Sequence, residues 1–269
     1  MESQRRQSRN LSHRINAYSD KIDVNCPELV PVISYPRIIE EREYIGRLKE
    51  LEIMGVSSIL PAGSTKIGKF SILGKGGVGL VVKVETKDKK TCALKIRRID
   101  ANRKSMEREV KLHKIANSVG VGPHIYANSE NFILMDFIDG SNIIRWLNQQ
   151  NINNDQVHKV VISTLEQCYD LDRANLDHGE LSCLDHHLLV SESVLAHIID
   201  FESSSIDRKP CNVTAAAHSL LLNGPVSRRV NKNNKNIHFA EQEKIIDLLR
   251  MYKSNQTRGN FDKLIEAFG

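Results

Sequence analysis

Four features of this 269-residue chain have residue types and spacings suited to chemistry: a glycine run, a lysine in an apolar strand, and two short segments carrying carboxylates. Gly74-Lys75-Gly76-Gly77-Val78-Gly79-Leu80-Val81 fits the spacing G-x-G-x-x-G-x-V. Glycines so placed leave backbone N–H groups uncovered by any Cβ, so the run can cradle phosphate. Several kinds of loop do this, and the flanks sort them. A P-loop ends in Lys-Ser/Thr, where this chain has Leu80-Val81. A dinucleotide-binding turn opens a helix, whereas GLVVKVE reads as a strand. A glycine loop inside a β-hairpin remains; with no ligand, the same run is a flexible turn. One strand later Lys95 stands in Ala93-Leu94-Lys95-Ile96. Burying a lysine is costly unless it is paired, and phosphates together with a carboxylate would pair it. Glu109, directly before an apolar helix face, is the expected carboxylate, with Glu107 as the alternative. The bland reading makes Lys95 the head of an exposed basic cluster, Arg97, Arg98, Arg103, Lys104 and Arg108.

The elements that would position these groups follow from hydrophobic period. The first ~35 residues lack regularly spaced apolar groups and read as a mobile or loosely docked extension. Ile38, Glu41, Ile45, Leu48 and Leu51 then share a helical face. KFSIL, GLVVKVE and TCALKIRR predict a three-stranded antiparallel meander. SMEREVKLHKIANSVG predicts a helix, and HIYANS and NFILMDFI two more strands. Beyond Asp139-Gly140 the pattern is mainly helical. Ser141 and Asp155 are candidate caps, HLLV and AHIID a strand pair, and EKIIDLLRMY and NFDKLIEAF two closing helices.

Two further segments carry a resemblance. Phe132-Ile133-Leu134-Met135-Asp136-Phe137-Ile138-Asp139-Gly140 resembles the hinge of protein kinases, and Ala93-Leu94-Lys95-Ile96 resembles their V-A-I-K. Asp177-His178-Gly179-Glu180-Leu181-Ser182, followed by Ile198-Ile199-Asp200-Phe201-Glu202, resembles H-G-D-L…N…I-D-F-G. Over residues 63–205 the chain looks like the RIO and KEOPS-associated small atypical kinases. It looks most like an archaeal family of predicted serine/threonine kinases bearing ALKIRR, HGELS and IIDFES. The resemblance implies an α+β, two-lobed protein kinase-like fold: an extension over 1–62, an N-lobe antiparallel sheet with one helix over 63–139, and a compact, mainly helical C-lobe over 140–269. It implies ATP and Mg²⁺ as cofactors. Gly74, Lys75, Gly76, Gly77, Gly79, Val81, Ala93, Lys95, Met135, Asp136 and Ile138 would bind the nucleotide, Asp200 would hold the metal, and Glu180 would serve the acceptor hydroxyl of a serine or threonine in a protein.

The departures from that pattern are chemical. Glu180 stands where aspartate is expected, one methylene longer with a similar unperturbed pKa. The metal-binding asparagine is replaced by Asp185 if spacing decides, or by His187 if the apolar run LLV decides; an oxygen ligand suits Mg²⁺ better than imidazole. Glu202 replaces the glycine after Asp200-Phe201, and no A-P-E motif follows. These departures keep two other readings open, a nucleotide-binding regulator or weak ATPase acting in a complex, and a small-molecule kinase. His178, Cys183, His186 and His187 could instead suggest zinc, though their spacing is irregular. Autophosphorylation would find candidate acceptors at Ser203, Ser204, Ser205 and in the N-terminal extension.

Composition sets the frame. A 40% hydrophobic, 26% charged chain is that of an ordinary globular protein. No run approaches the ~20 apolar residues of a membrane span. The polar N-terminus lacks a signal peptide's apolar core, and five scattered cysteines form no CxxC pair, so cytoplasmic residence with free thiols and no membrane partner is expected. The net charge of +5 is a mild bias. Basic residues around Arg97–Lys114, and Arg228, Arg229, Lys232 and Lys235 in a polar, asparagine-rich loop, would suit RNA or ribosomal phosphates, or simply solvated surface.

Overall fold

The computed structural model describes residues 21–233 and 239–267. The protein is mixed α+β with antiparallel sheet, as the change of period predicts. It divides into two compact units, one ending at Asn102 and the other beginning at Arg103. Among the described residues no helix is long and apolar enough to cross a membrane.

In the first unit, β1 (Ile22–Asp23), α1 (Val30–Ile33) and α2 (Glu41–Ile53) precede β2 (Val56–Leu60), β3 (Thr65–Ile67), β4 (Phe70–Ile72), β5 (Gly74–Lys75), β6 (Gly79–Thr86) and β7 (Thr91–Arg97). The sheet runs β1-β2-β6-β7, antiparallel throughout, with β5 folded back on β6. The expected meander is therefore altered at its first strand. Phe70–Ile72 pairs with Thr65–Ile67 in a separate hairpin, and β2 takes the place beside β6. Only the end of KFSIL stays beside β6, where the Leu73 N–H donates to the Val81 carbonyl, because β2 occupies β6 from Lys83 to Thr86.

Of the stretch expected as a loose extension, residues 1–20 lie outside the described residues, and residues 29–34 are packed into the fold. Leu29, Val32, Ile33 and Ser34 are fully buried. In α2 the inward face is rotated from the expected one: Arg47 and Leu51 are buried, whereas Ile45 is exposed and Ile38 lies before the helix. Arg47 tolerates burial because its Nη1 donates to the carbonyls of Ile33 (2.8 Å) and Arg97 (2.9 Å).

The second unit holds α3 (Glu107–Ser118), the antiparallel pair β8 (Ile125–Asn128) and β9 (Phe132–Asp136), and the three-stranded sheet of β10 (Gly140–Asn142), β11 (Leu188–Ser191) and β12 (Ala196–Ile198). Around these lie α4 (Ile143–Leu147), α5 (Asn154–Arg173), α6 (Leu184–His187), α7 (Asn212–Ala217), α8 (Pro225–Asn233), α9 (Phe239–Ser254) and α10 (Arg258–Glu266). Two caps differ from expectation. Asn142, the residue next to Ser141, accepts from the Arg145 N–H, and Asn153 forms a capping box with Gln156. The stretch expected as a polar loop forms α8, with Val226 and Val230 buried one turn apart. Lys235 lies outside the described residues.

Leu165, Cys168 and Leu171 of α5 enter the core with Leu188, Ile198, Phe201, Ala216 and Phe261. Asp172 follows them inward. Its carboxylate accepts from the Asn212 N–H (2.9 Å), Asn212 Nδ2 (2.8 Å), the Val213 N–H (3.3 Å) and the Tyr252 hydroxyl (2.9 Å). Burial raises its pKa, and these donors pull the other way. Asp172→Ala strands all four donors in the interior and is expected to destabilise this unit by about 2–5 kcal/mol. Thermal unfolding with and without the substitution measures it.

Candidate functional site

In the first unit the glycine hairpin closes tightly. Gly74 pairs with Val81 and Lys75 with Leu80, and the Gly76 N–H donates to the Gly79 carbonyl at 2.7 Å. β7 follows antiparallel, with Gly79 opposite Arg97 and Val81 opposite Lys95. A Cβ at Gly79 would sit 2.9 Å from the Ile96 carbonyl oxygen and 3.3 Å from Cγ and Cε of Lys95. The absence of a side chain at 79 is what lets the lysine stem lie against the loop. Lys95 and Ala93 are both buried on the same face of β7, at 5% exposure each. An ammonium held so low in the sheet is pre-positioned, with little rotamer freedom left to lose. Two cations edge the loop. Arg98 donates through Nη1 to the Gly76 carbonyl (3.1 Å), and Lys75 reaches the Tyr35 hydroxyl (3.3 Å).

In the second unit the β11–β12 hairpin joins two of the expected residues. His187 directly precedes β11 and Asp200 lies two residues past β12, and the Ile199 N–H donates to the His187 carbonyl (3.0 Å). Asp200 has φ +69°, a left-handed conformation that costs a non-glycine residue about 1 kcal/mol or more. Phe201, with no exposed surface, holds it there: its ring lies 4.6 Å from that of His113 on α3 and 5.2 Å from that of His178.

Glu180 has 41% of its side chain exposed, with Oε2 3.7 Å from Nε2 of the nearly buried His187. Asp185 is more exposed than His187 and pairs instead with His186, at 3.4 Å. Of the two candidates for the missing asparagine, His187 is thus the one brought beside Glu180.

The segment carrying Glu180 is fixed from behind. Asp177 and Ser205 exchange backbone hydrogen bonds (2.9 and 2.8 Å). Arg208 donates through Nε to the Asp177 carboxylate and through Nη2 to the Ser203 carbonyl, both at 2.8 Å. Gly179 has φ +88°, and a Cβ there would lie 2.5 Å from Arg208 Nη2. The His178 N–H donates to Asn212 Oδ1 (2.9 Å), which links this turn to the Asp172 cluster. Burial, with a smaller push from His187, lowers the His178 pKa to about 4. The ring is therefore neutral near pH 7, and with Nε2 3.1 Å from the Ile199 carbonyl the proton sits on Nε2.

The remaining expected residues are placed as follows. Glu109 is buried on α3 in the second unit, whereas Lys95 belongs to the first. Met135 and Asp136 end β9, and Ile138 follows it, partly exposed. The Asp136 carboxylate accepts from the Tyr126 hydroxyl and the His124 N–H, so β8 holds it. Ser204 and Ser205 are buried, at 0% and 7% exposure, and Ser203 is partly exposed; the serines of residues 1–20 lie outside the described residues. All five cysteines are free thiols. Among the described residues no group of three or more His, Cys, Asp or Glu is gathered as a metal site, so His178, Cys183, His186 and His187 do not form a zinc cage. The Asp200 carboxylate is a hard oxygen donor of the kind that would suit Mg²⁺.

Sequence reasoning did not single out Tyr35, Asp172, Arg208 or Asn212. The one available signal was a carboxylate, Asp172, continuing the apolar stripe of a long amphipathic helix. Neither a family model nor a curated protein matches the chain.

Proposed function

We propose that this protein is an atypical ATP-dependent kinase with a protein kinase-like fold, transferring the γ-phosphate of Mg·ATP to a serine or threonine hydroxyl of a protein. The observation that carries the reading is the register of β6 and β7. It seats the buried Lys95 stem against the glycine hairpin, where Gly79 leaves the room for it. A lysine buried beside a glycine-rich loop suits a polyphosphate.

Each group then has a role. Amides of the Gly74–Gly79 loop other than that of Gly76, which is bonded to the Gly79 carbonyl, would donate to phosphate oxygens, and Lys95 would orient the α- and β-phosphates. Asp200 would hold Mg²⁺, which supplies charge neutralisation on the phosphates. Glu180, exposed and backed by the Asp177–Arg208 pair, would accept the acceptor's hydroxyl proton. His178 stays neutral and adds no positive charge beside Glu180 and Asp200.

The test is transfer of γ-labelled phosphate from ATP to a generic protein acceptor, with Mg²⁺ and after chelation. Label that appears with Mg²⁺ and vanishes on chelation is the expected result. Tight ATP binding without label on any acceptor would overturn the transfer claim in favour of a nucleotide-gated regulator. Label only on a sugar or nucleoside would replace the protein acceptor with a small molecule.

A further inference from the structure

We infer that Tyr35 is a positioning residue for the glycine loop, through which the segment between α1 and α2 sets how firmly the loop holds nucleotide phosphate. This inference rests on the nucleotide-binding reading above. Gly76 and Gly77 have no side chains with which to fix the loop, so beyond its own backbone bonds only contacts from outside can steady it. Tyr35 does so from two sides. On one, the Lys75 Nζ lies 3.3 Å from the Tyr35 hydroxyl and 5.5 Å from the ring centroid. On the other, the Arg98 guanidinium lies 5.4 Å from the same centroid. Arg98 is itself fastened to the loop, donating from its backbone to the Val78 carbonyl (2.8 Å) and from Nη1 to the Gly76 carbonyl (3.1 Å). Asp100 fixes the rest of that guanidinium with two bonds of 2.8 Å.

The tyrosine is no freer than its neighbours. Its carbonyl accepts from the Ile99 N–H (3.0 Å), and the residues just before it, Val32, Ile33 and Ser34, are fully buried. The buried Arg47 joins the same segment to the end of β7 through the Ile33 and Arg97 carbonyls. A rigid anchor thus holds a ring, and the ring holds two cations at the loop's edge. A lysine already ordered loses less freedom when phosphate arrives, so the contact favours binding.

Two measurements test this, each on the full chain. Mg·ATP binding by calorimetry is expected to weaken about tenfold in Tyr35→Ala, which loses the ring and the hydroxyl, and about two- to threefold in Tyr35→Phe, which loses only the hydroxyl. Hydrogen–deuterium exchange of the peptide spanning residues 74–79, without nucleotide, is expected to quicken in Tyr35→Ala at an unchanged melting temperature. Unchanged exchange, or binding equal to or tighter than wild type in Tyr35→Ala, would overturn the inference. Wild-type protein that binds no nucleotide would sink the proposed function instead, and the exchange comparison would still decide whether Tyr35 holds the loop.

Discussion

Glu180→Gln should slow phosphate transfer by about 10²–10⁴-fold, the usual contribution of a positioned general base, while ATP affinity stays near wild type. The amide keeps the shape and loses the ability to take a proton. Because 41% of this side chain is exposed and its segment is pinned by Asp177, Arg208 and Asn212, the substitution should leave the fold intact. Glu180→Asp is the informative companion. It restores the residue type that the related motif carries, but it draws the carboxylate back from a position set beside His187. A displacement of ~1 Å in such a group can cost ~10²-fold in rate. Single-turnover transfer rates beside equilibrium ATP binding would separate the two effects. Transfer by Glu180→Gln at the wild-type rate would remove Glu180 from the chemistry.

The second large effect is acid destabilisation through His178. Its pKa is about 4 in the folded protein, against an ordinary 6.5, chiefly because burial disfavours the charged ring. The sign follows from proton counting. Between those values the unfolded chain binds a proton that the folded chain does not, so stability is fully present above ~6.5 and falls as the pH drops toward 4. At 1.36 kcal/mol per unit, about 2 kcal/mol is lost by pH 5 and on the order of 3 kcal/mol by pH 4. His197 is shifted downward by burial too and adds to the same slope, whereas the raised pKa of Asp172 acts against it. The comparison that isolates His178 is therefore wild type against His178→Gln. Trp146, the single tryptophan, is buried on α4 in the same unit and reports urea unfolding there. The variant is expected to be less stable at pH 7 and to lose less on going to pH 5. Equal losses in both proteins would show that His178 is not the group being titrated.

What the sequence could show was local. Alternating apolar residues around Gly74–Gly79 and a lysine one strand later led to a β-hairpin loop with Lys95 beside it. The β6–β7 register has that form because strand period and glycine placement act over a few residues. HLLV and AHIID likewise read as a strand pair, and that hairpin sets His187 and Asp200 near each other. The α+β class followed from the same change of period.

Tertiary structure decided where a residue's partners are distant in the chain. Arg47 reads as a solvated helix residue until the carbonyls of Ile33 and Arg97 are seen to satisfy it, and that pairing turns the face of α2. Asp172, Asn212 and Tyr252 are up to 80 residues apart and carry no joint signal, yet they anchor the turn that presents Glu180. Tyr35 lies in a stretch that composition assigns to a loose extension, and only the fold sets it against Lys75 and Arg98. Residue types and short spacings fix which chemistry is available. The burial of a charge, and the donors that make that burial tolerable, depend on contacts that chain folding alone brings together.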